Sequence, residues 1–360
     1  MTSTRRIILC VGLAVQLMMT ACVGGYKNKC ISSVSNESNI DRLSGILCKA
    51  ENIPFLKSLI VIQDGNVIIE KYMNGGAPDQ TIDLKSASKS ILSAVLGIAI
   101  RDRYIKGIDQ KVMDFFPEYS LDELDPRIAS LAIEHLVTMT SGFAVKENAE
   151  TYQGLYESSD WIGHILNLPM NSNPGEKFNY LSLNAHLLSA IIARATGMSM
   201  LAYTKLVLFL PLSIEQVAWE SDPQGYYIGG WGMSLKARDM AKFGMLCLNN
   251  GKIGQMQVVP SHWVKQSTTA SSGMIGTYYS RWDKNYGYGY LWWIRRLDND
   301  IDIPFALGHG GQRIVILPKA NSVIVTQADP SVDSSSSHKN HRTIDSLIFY
   351  CLLGYLLQTN

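Results

Sequence analysis

The segment SASKSILSAVLGIAI, from Ser86 to Ile100, is the most informative stretch of the chain. Its apolar residues recur at helical spacing, which predicts a largely buried helix. Ser86 stands at the start of this helix and Lys89 lies one turn further on, so the two side chains share a face. A lysine whose pKa is lowered by burial can take the proton of a serine hydroxyl, and a helix N-terminus favours developing negative charge. The segment therefore predicts a nucleophile and its base at the head of a core helix.

The same residues also have a purely structural interpretation. The pattern Ser-x-x-Lys occurs by chance in many proteins, and Ser86 would then cap the helix while Lys89 lay exposed. Two further motifs count against this, because Tyr180 to Ser182 and His309 to Gly311 follow in order along the chain. Together the three motifs resemble the S-x-x-K, Y-x-S and H-x-G series of serine β-lactamases and penicillin-binding proteins.

The resemblance covers the chain from about Leu59 to the C-terminus and includes residues 135–142, 174–178 and 231–240. Residues 160–161, 180–188 and 288–293 look most like the 6-aminohexanoate-dimer hydrolases and the carboxylesterases of the class C β-lactamase type. The resemblance implies an α+β fold of the β-lactamase/transpeptidase kind. In that fold an antiparallel sheet from both termini is flanked by helices, and a mainly helical lobe is inserted into it.

The resemblance also implies three catalytic roles. Ser86 would be acylated, Lys89 would accept its proton, and Tyr180 would pass a proton to the leaving group. A tyrosine is neutral at pH 7 unless a cation lies near, so Tyr180 and Lys89 would titrate as a coupled pair. Without the other motifs, Tyr180 would be interpreted as an aromatic residue at the rim of a cleft.

Further residues are expected to bind the substrate: Ser182, His309, Gly310, Gly311 and Gln312. By family analogy the N–H groups of Ser86 and Gln312 would form the oxyanion hole, and the two glycines would let the substrate lie against a strand edge. His309 replaces a lysine of the β-lactam-recognising members, and Ser182 replaces an asparagine. Both replacements favour esters or small amides over β-lactams and cell-wall peptides. The alternative for His309 is a turn residue beside a glycine pair.

Two lobes are predicted from the order of the elements. Residues 51–125 and 286–360 would form the α/β lobe of a hydrolase domain spanning 51–360, and residues 126–285 the helical lobe. A helix over 41–50 and a hairpin of strands 59–63 and 66–72, turning at Asp64-Gly65, are predicted near the start. Strands over 286–295 and 313–327, the second with an internal turn, and a helix over 343–357 are predicted near the end. The cleft between the lobes would hold the active site.

The N-terminus has the layout of a secretory signal. Arg5 and Arg6 precede an apolar run from Ile7 to Met19, which is too short for a comfortable membrane span. Residues 19–22 resemble a bacterial lipobox, so residues 1–21 are expected to be a signal peptide and Cys22 to carry a lipid anchor. Residues 22–50 would be a tether and a short helix. Ordinary cleavage near Ala21 is the alternative, and both place the protein outside the cytoplasm, in the periplasm or cell envelope.

Four of the six cysteines lie beyond the signal and the lipidation site. Their spacing is not that of a metal site. In an oxidising compartment Cys30 could pair with Cys48. Cys247 and Cys351 lie in apolar helical stretches and are expected to be buried thiols.

Composition and motifs exclude several other classes of function. The chain has 360 residues, a net charge of +1 and 46% apolar residues, so it can bury a large core and has no electrostatic footprint for nucleic acid. No zinc-protease, P-loop or dinucleotide-binding motif occurs, so neither a metal nor a cofactor is expected. The prediction is a secreted serine hydrolase for a small-molecule ester or amide. The alternatives are a β-lactamase or D-alanyl carboxypeptidase using the same residues, and a non-catalytic lipoprotein that binds a ligand.

Overall fold

The computed structural model describes residues 39–271, 286–297 and 301–358. The predicted signal peptide at 1–21 and the predicted lipidation of Cys22 lie outside these ranges. The division of the domain into two lobes also stays a prediction, although the elements described below come from both proposed parts.

The strands of the main sheet come from both ends of the described chain. In chain order the strands are β1 (Leu56–Gln63), β2 (Asn66–Tyr72), β3 (Thr81–Asp83), β4 (Ala218–Trp219), β5 (Met233–Lys236), β6 (Lys252–Ile253), β7 (Met256–Gln257), β8 (Tyr286–Tyr288), β9 (Trp293–Leu297), β10 (Ile301–Gly308), β11 (Gln312–Leu317) and β12 (Ser322–Ala328). Within the described ranges, seven of them form one antiparallel sheet in the order β2-β1-β12-β11-β10-β9-β8. Strand β1 pairs with β12, which joins the two ends of the chain. This arrangement confirms the predicted α+β fold class.

Helices fill the long connection between β3 and β8 and also flank the sheet. In chain order they are α1 (Asn39–Glu51), α2 (Ser88–Arg101), α3 (Ile133–Val137), α4 (Ala149–Glu157), α5 (Trp161–Leu166), α6 (Ser182–Thr196), α7 (Met200–Thr204), α8 (Ala237–Leu248), α9 (Ser261–Ser267), α10 (Ser334–Asp345) and α11 (Leu353–Leu356). Short π-helical segments, Lys205–Phe209 and Ser346–Leu352, continue α7 and α10. Within the described ranges no single helix has the length and apolar composition to cross a bilayer, whereas α6 and Met200–Phe209, bent by 78° relative to each other, meet those criteria as a pair.

The two faces of the sheet are covered by different helices. On one face Gly244 brings α8 so close that a Cβ there would lie 2.5 Å from the side chain of Val323 and 3.0 Å from that of Ile314. On the other face Phe349 packs edge-on against Phe305 at a ring separation of 6.0 Å. Residues paired across antiparallel strands share a face and neighbours along a strand do not, so these contacts lie on opposite sides. The sheet is therefore buried on both faces along its central strands.

The first hairpin is formed as predicted. Asp64 and Gly65 have φ values of 51° and 76°, which is the left-handed conformation that a two-residue type I′ turn needs at both central positions. Gln63 pairs with Asn66 directly across the turn. The predicted helix over 41–50 is also present, as α1.

The C-terminal part differs from the prediction in three places. The single strand expected over 286–295 is two strands, β8 and β9, because the chain turns between them at Leu291, whose φ is 61°. Strand β10 was not predicted, since Asp302 and Pro304 interrupt its apolar pattern. The final helix begins at Ser334 and not near residue 343, because the Asp333 carboxylate accepts the N–H groups at the start of α10. The turn predicted within 313–327 is present between β11 and β12.

The structure corrects the predictions for Cys48 and Cys351 and confirms the one for Cys247. Cys48 forms no disulfide, so the possible pairing of Cys30 with Cys48 is wrong. Cys351, which was expected to be a thiol, is disulfide-bonded. Cys247 is a free thiol, and burial raises its pKa above the ordinary range, as expected for a core residue.

Candidate active site

Ser86 and Lys89 lie where the chain enters the buried helix α2. Ser86 is in a 3-10 turn, Lys85–Ala87, and the α-helix begins at Ser88. Lys89 is only 1% exposed, and its Nζ donates hydrogen bonds to Ser86 Oγ at 2.7 Å and to the Gly230 carbonyl at 2.8 Å. The alternative in which Lys89 is exposed and Ser86 caps the helix is therefore wrong. The serine and the lysine predicted from the sequence are in direct contact.

The surroundings of Lys89 suit it to accept a proton. Burial lowers the pKa of Lys89 to about 7, and the negative charge of Glu147 opposes this shift. A lysine with that pKa is partly neutral near pH 7, so its lone pair is available to the hydroxyl that it contacts. The pair can thus activate Ser86 as a nucleophile without a histidine.

The residue that precedes the nucleophile has a strained backbone. Lys85 has a φ of 50°, which few residues other than glycine adopt. Asp83 stabilises it, because its Oδ1 accepts the Lys85 N–H at 2.7 Å and its Oδ2 lies 2.8 Å from Lys85 Nζ. Ser88 Oγ also donates to the Lys85 carbonyl at 2.8 Å. These contacts hold the turn that carries Ser86, and no sequence motif includes Lys85 or Asp83.

Tyr180 lies beside the serine–lysine pair. It is 6% exposed, and the ring centroid is 5.1 Å from Lys89 Nζ. Trp293 stacks on this ring at 5.3 Å, and Tyr288 contacts it edge-on at 6.0 Å. The second motif is therefore brought to the first, with its aromatic ring held between strands β8–β9 and the buried ammonium.

Ser182, the third residue of the Tyr180 motif, contacts a carboxylate that the motifs did not reveal. Its backbone N–H donates to Glu147 Oε2 at 2.8 Å, and its hydroxyl donates to Glu147 Oε1. A serine hydroxyl has one proton, so Ser182 cannot also donate to a substrate carbonyl in this arrangement. The expectation that Ser182 binds the substrate stays a prediction. Glu147 lies in a segment without a readable motif, 35 residues before its partner, which is why the sequence did not indicate it.

The third motif makes contacts within the protein, and its expected role in substrate binding stays a prediction. His309 directs Nε2 to the Val332 carbonyl at 2.7 Å, so that nitrogen donates to the backbone and not to a substrate or to Tyr180. Gly310 and Gly311 have φ values of 84° and 122°, and a Cβ on Gly310 would lie 2.4 Å from the Asp329 carbonyl. The two glycines are thus required by the turn and by its packing within the protein, and their expected contact with substrate stays a prediction.

The His309 turn nevertheless lies next to the segment that carries Ser86, and the contact is made by Gly308, the residue before the turn. A Cβ on Gly308 would lie 2.1 Å from the carbonyl of Leu84, two residues before Ser86. Gln312 pairs with Gly308 across β10 and β11, is fully buried, and hydrogen-bonds the Ala328 backbone through both ends of its amide. The oxyanion-hole role expected for the Ser86 and Gln312 N–H groups remains a prediction from the family resemblance.

A series of hydrogen-bonded polar side chains connects the His309 turn to α10. The Gly310 N–H donates to Ser337 Oγ at 2.9 Å, and Ser337 Oγ lies 3.3 Å from His341 Nε2. Arg313 Nη2 lies 3.1 Å from His341 Nδ1 and 3.0 Å from Asp345 Oδ1. Burial and the neighbouring guanidinium hold the pKa of His341 well below its usual value, so His341 is neutral and accepts from Arg313. This series of side chains ties the turn to α10.

Other polar residues near α6 have packing roles. Asn184 and His186, for which packing was the default expectation, are fully buried, and His186 Nε2 lies 2.9 Å from Asp222 Oδ2. In residues 39–271, 286–297 and 301–358, no group of three or more His, Cys, Asp or Glu side chains is placed to hold a metal ion.

A serine in contact with a buried lysine, beside an antiparallel sheet with helices in the connection between its strands, is consistent with a serine hydrolase of the β-lactamase fold. A profile of the Beta-lactamase family matches residues 57–341, and the chain belongs to that family.

Relatives with known names agree with this classification. The 6-aminohexanoate-dimer hydrolase of Paenarthrobacter ureafaciens is 26% identical over 296 residues, covering 78% of this chain and 74% of the relative. Among solved structures, EstCE1, a hydrolase with promiscuous acyltransferase activity, matches 86% of this chain and 98% of its own at a TM-score of 0.69 and 16% identity. The octameric penicillin-binding protein homologue from Pyrococcus abyssi matches 87% of this chain and 78% of its own at a TM-score of 0.64 and 18% identity. At these identities the two structures establish the fold alone.

Proposed function

We propose that this serine hydrolase transfers the acyl group of a carboxylic ester or a short amide to water through an acyl-enzyme on Ser86. The observation that carries the proposal is the 2.7 Å contact between Lys89 Nζ and Ser86 Oγ, made by a lysine that is 1% exposed. If Lys89 only stabilised the fold through an ion pair, its partner would not need to be a serine. A buried amine on a hydroxyl is instead the arrangement that makes the hydroxyl nucleophilic.

In the acylation step, neutral Lys89 takes the proton of Ser86 while Oγ attacks the carbonyl carbon of the substrate. The resulting oxyanion would be bound by backbone N–H groups, each worth on the order of 3 kcal/mol to the transition state. Ser86 and Gln312 are the expected donors. The leaving alcohol or amine departs with a proton supplied through Tyr180, whose ring lies 5.1 Å from Lys89 Nζ.

In the deacylation step, water attacks the ester formed on Ser86. Its proton passes to the Tyr180 and Lys89 pair, and the carboxylic acid leaves as Ser86 Oγ is protonated again. Because both steps need a neutral base, the rate is expected to rise as the pH increases through the pKa of Lys89, about 7.

Esters and short amides are favoured over β-lactams for two reasons. The third motif carries His309 where β-lactam-recognising relatives have lysine, and its Nε2 is bonded to the Val332 carbonyl. That nitrogen is therefore not available to bind the carboxylate of a penicillin. The named relative that acts on 6-aminohexanoate dimers, a small amide by its name, and the hydrolase EstCE1 also support this substrate class.

A fluorophosphonate probe for active-site serines tests the proposal. We expect one labelled peptide, containing Ser86, in the wild type and no labelling of the Ser86→Ala variant. Equal labelling of both proteins would overturn the proposal. Hydrolysis of a chromogenic cephalosporin at rates comparable to p-nitrophenyl esters would replace the substrate class with β-lactams, and inactivity towards both would favour a ligand-binding protein.

We also propose that the enzyme is exported and lipid-anchored. The support is the sequence alone: Arg5 and Arg6, the apolar run from Ile7 to Met19, and the lipobox-like residues that end in Cys22. Expression in a bacterium with a radiolabelled fatty acid should give a labelled membrane-bound protein, whereas Cys22→Ser should be unlabelled. A labelled Cys22→Ser variant, or an uncleaved cytoplasmic wild type, would refute the anchor.

A further inference from the structure

Glu147 contacts Ser182, the last residue of the second motif, and its segment is fastened to that motif. Asn179 Nδ2, just before Tyr180, donates to the carbonyls of Phe143 and Val145 at 3.0 and 2.8 Å. This places the Glu147 carboxylate at the start of α6, where both of its oxygens accept hydrogen bonds from Ser182. An anion at that end of a helix is stabilised by the unpaired N–H groups and the helix dipole.

A continuous set of contacts leads from this carboxylate to Lys89. A Cβ on Gly230 would lie 2.8 Å from Ser182 Cβ and 2.9 Å from the Ser182 carbonyl, so the two backbones touch. The Gly230 carbonyl accepts from Lys89 Nζ at 2.8 Å. The charge of Glu147 acts on Lys89 in the direction that favours the ammonium form.

We propose that Glu147 is a positioning residue of the acyl-transfer site, which holds Ser182 against Gly230 and supplies the fixed negative charge that faces Lys89. The inference rests on the proposed function. Its consequence is that Glu147 decides the pH range in which Lys89 is neutral and Ser86 reactive. A helix-capping role alone would explain the contacts with Ser182, but it would not affect the titration of Lys89.

The other titratable groups around Glu147 do not compete with it. The phenols of Tyr152, Tyr156 and Tyr288 face the carboxylate, and burial raises the pKa of each above its usual value of 10. They therefore remain neutral at pH 5 to 9. The ring of Tyr180 faces Lys89 itself. Glu147 is the carboxylate that acts on the pKa of Lys89 in the described part of the chain.

The test is the pH dependence of the rate at which the fluorophosphonate probe labels Ser86, measured in the full-length protein. The wild-type rate should rise to a plateau with a midpoint near the pKa of Lys89, about 7. Glu147→Gln keeps the size of the side chain but removes its charge, so the midpoint should fall by about one pH unit. Glu147→Asp keeps the charge but shortens the reach to Ser182, so the plateau should fall while the midpoint stays closer to that of the wild type.

Glu150→Gln, an exposed position in the first turn of α4, is the matched control and should keep the wild-type midpoint. A Glu147→Gln enzyme with a lower plateau and an unchanged midpoint would show a cap alone and overturn the inference, while leaving the proposed function intact. Equal midpoint shifts in Glu147→Asp and Glu147→Gln would overturn it as well. A wild type that is not labelled at Ser86 at any pH would refute the proposed function, and the inference with it.

Discussion

The turn at Ser86 and the turn at His309 are both short motifs that the sequence singled out, yet the structure uses them in different ways. At the first, the two predicted side chains meet directly, with Lys89 Nζ 2.7 Å from Ser86 Oγ. At the second, the predicted side chain of His309 bonds to the Val332 carbonyl, and the glycines serve the turn. One motif brings its side chains into contact, and the other is defined by the shape of its backbone and by the residues packed against it.

The difference has a simple physical origin. Residues three apart on a helix are neighbours whatever the rest of the fold does, so a serine and a lysine at that spacing meet for local reasons. The surroundings of His309 and Gly310 are contributed by residues 329–337, through Asp329, Val332 and Ser337. A motif of the second kind predicts that a feature is present but not which atoms point at the substrate.

The largest effect is expected at the first turn. Lys89→Met retains an unbranched buried side chain but has no base, so the rate of Ser86 labelling should fall about 10³-fold. The control is Lys85→Met, which removes a neighbouring ammonium that pairs with Asp83. Its rate of Ser86 labelling should fall far less. Labelling kinetics at pH 8 compare the two variants. A Lys89→Met rate within tenfold of the wild type would mean that the contact seen here does not activate the serine.

The same lysine should make stability depend on pH. The folded-state pKa of Lys89, about 7, is lower than the unfolded value of 10.5. Between these values the unfolded chain binds more protons, so stability rises with pH. The free-energy cost of burying Lys89 is therefore fully present below pH 7, and it decreases as the pH approaches 10. Relative to Lys89→Met, the free energy of unfolding should rise by about 1 kcal/mol per pH unit over this range.

Urea unfolding at pH 6, 7, 8, 9 and 10 measures that difference between wild type and Lys89→Met. A difference that is flat with pH would show that Lys89 keeps its ordinary pKa in the folded protein. Lys242→Met is the control, because it removes a lysine that is partly exposed and not buried. Lys242 lies on α8 and pairs with Asp239.

The next effect belongs to the second turn. Gly310→Ala combines a left-handed φ of 84° with a Cβ 2.4 Å from the Asp329 carbonyl, and should cost about 3 kcal/mol of stability. Gly75 has nearly the same φ, 81°, but no atom within 4 Å of its Cβ. Gly75→Ala should therefore cost only about 1 kcal/mol. If urea unfolding gave equal stability losses for the two variants, the residues packed against the His309 turn would have to move at little cost.

The sequence predicted those parts of the fold and site that depend on local spacing. The Asp64-Gly65 hairpin and the buried helix after Ser86 need no knowledge of the rest of the chain. Strand β10 was missed because Pro304 lacks a backbone donor and argues against a strand between two others. Glu147 was missed because its partner Ser182 becomes a neighbour only after folding.

The smallest effect on activity is expected for His309→Phe. This variant tests whether the His309 turn, unlike the Ser86 turn, contributes no side chain to the reaction. Phenylalanine keeps an aromatic ring of similar size but cannot donate to the Val332 carbonyl, so stability should fall by about 1 kcal/mol. If the imidazole only fastens the turn, the labelling rate of Ser86 and ester hydrolysis should change by less than about fivefold, since Lys89 and Ser86 are untouched. A loss of 100-fold or more in ester hydrolysis with unchanged stability would place the imidazole on the substrate. The second turn would then act through a side chain as the first one does, and the bond to Val332 would have to break when substrate binds.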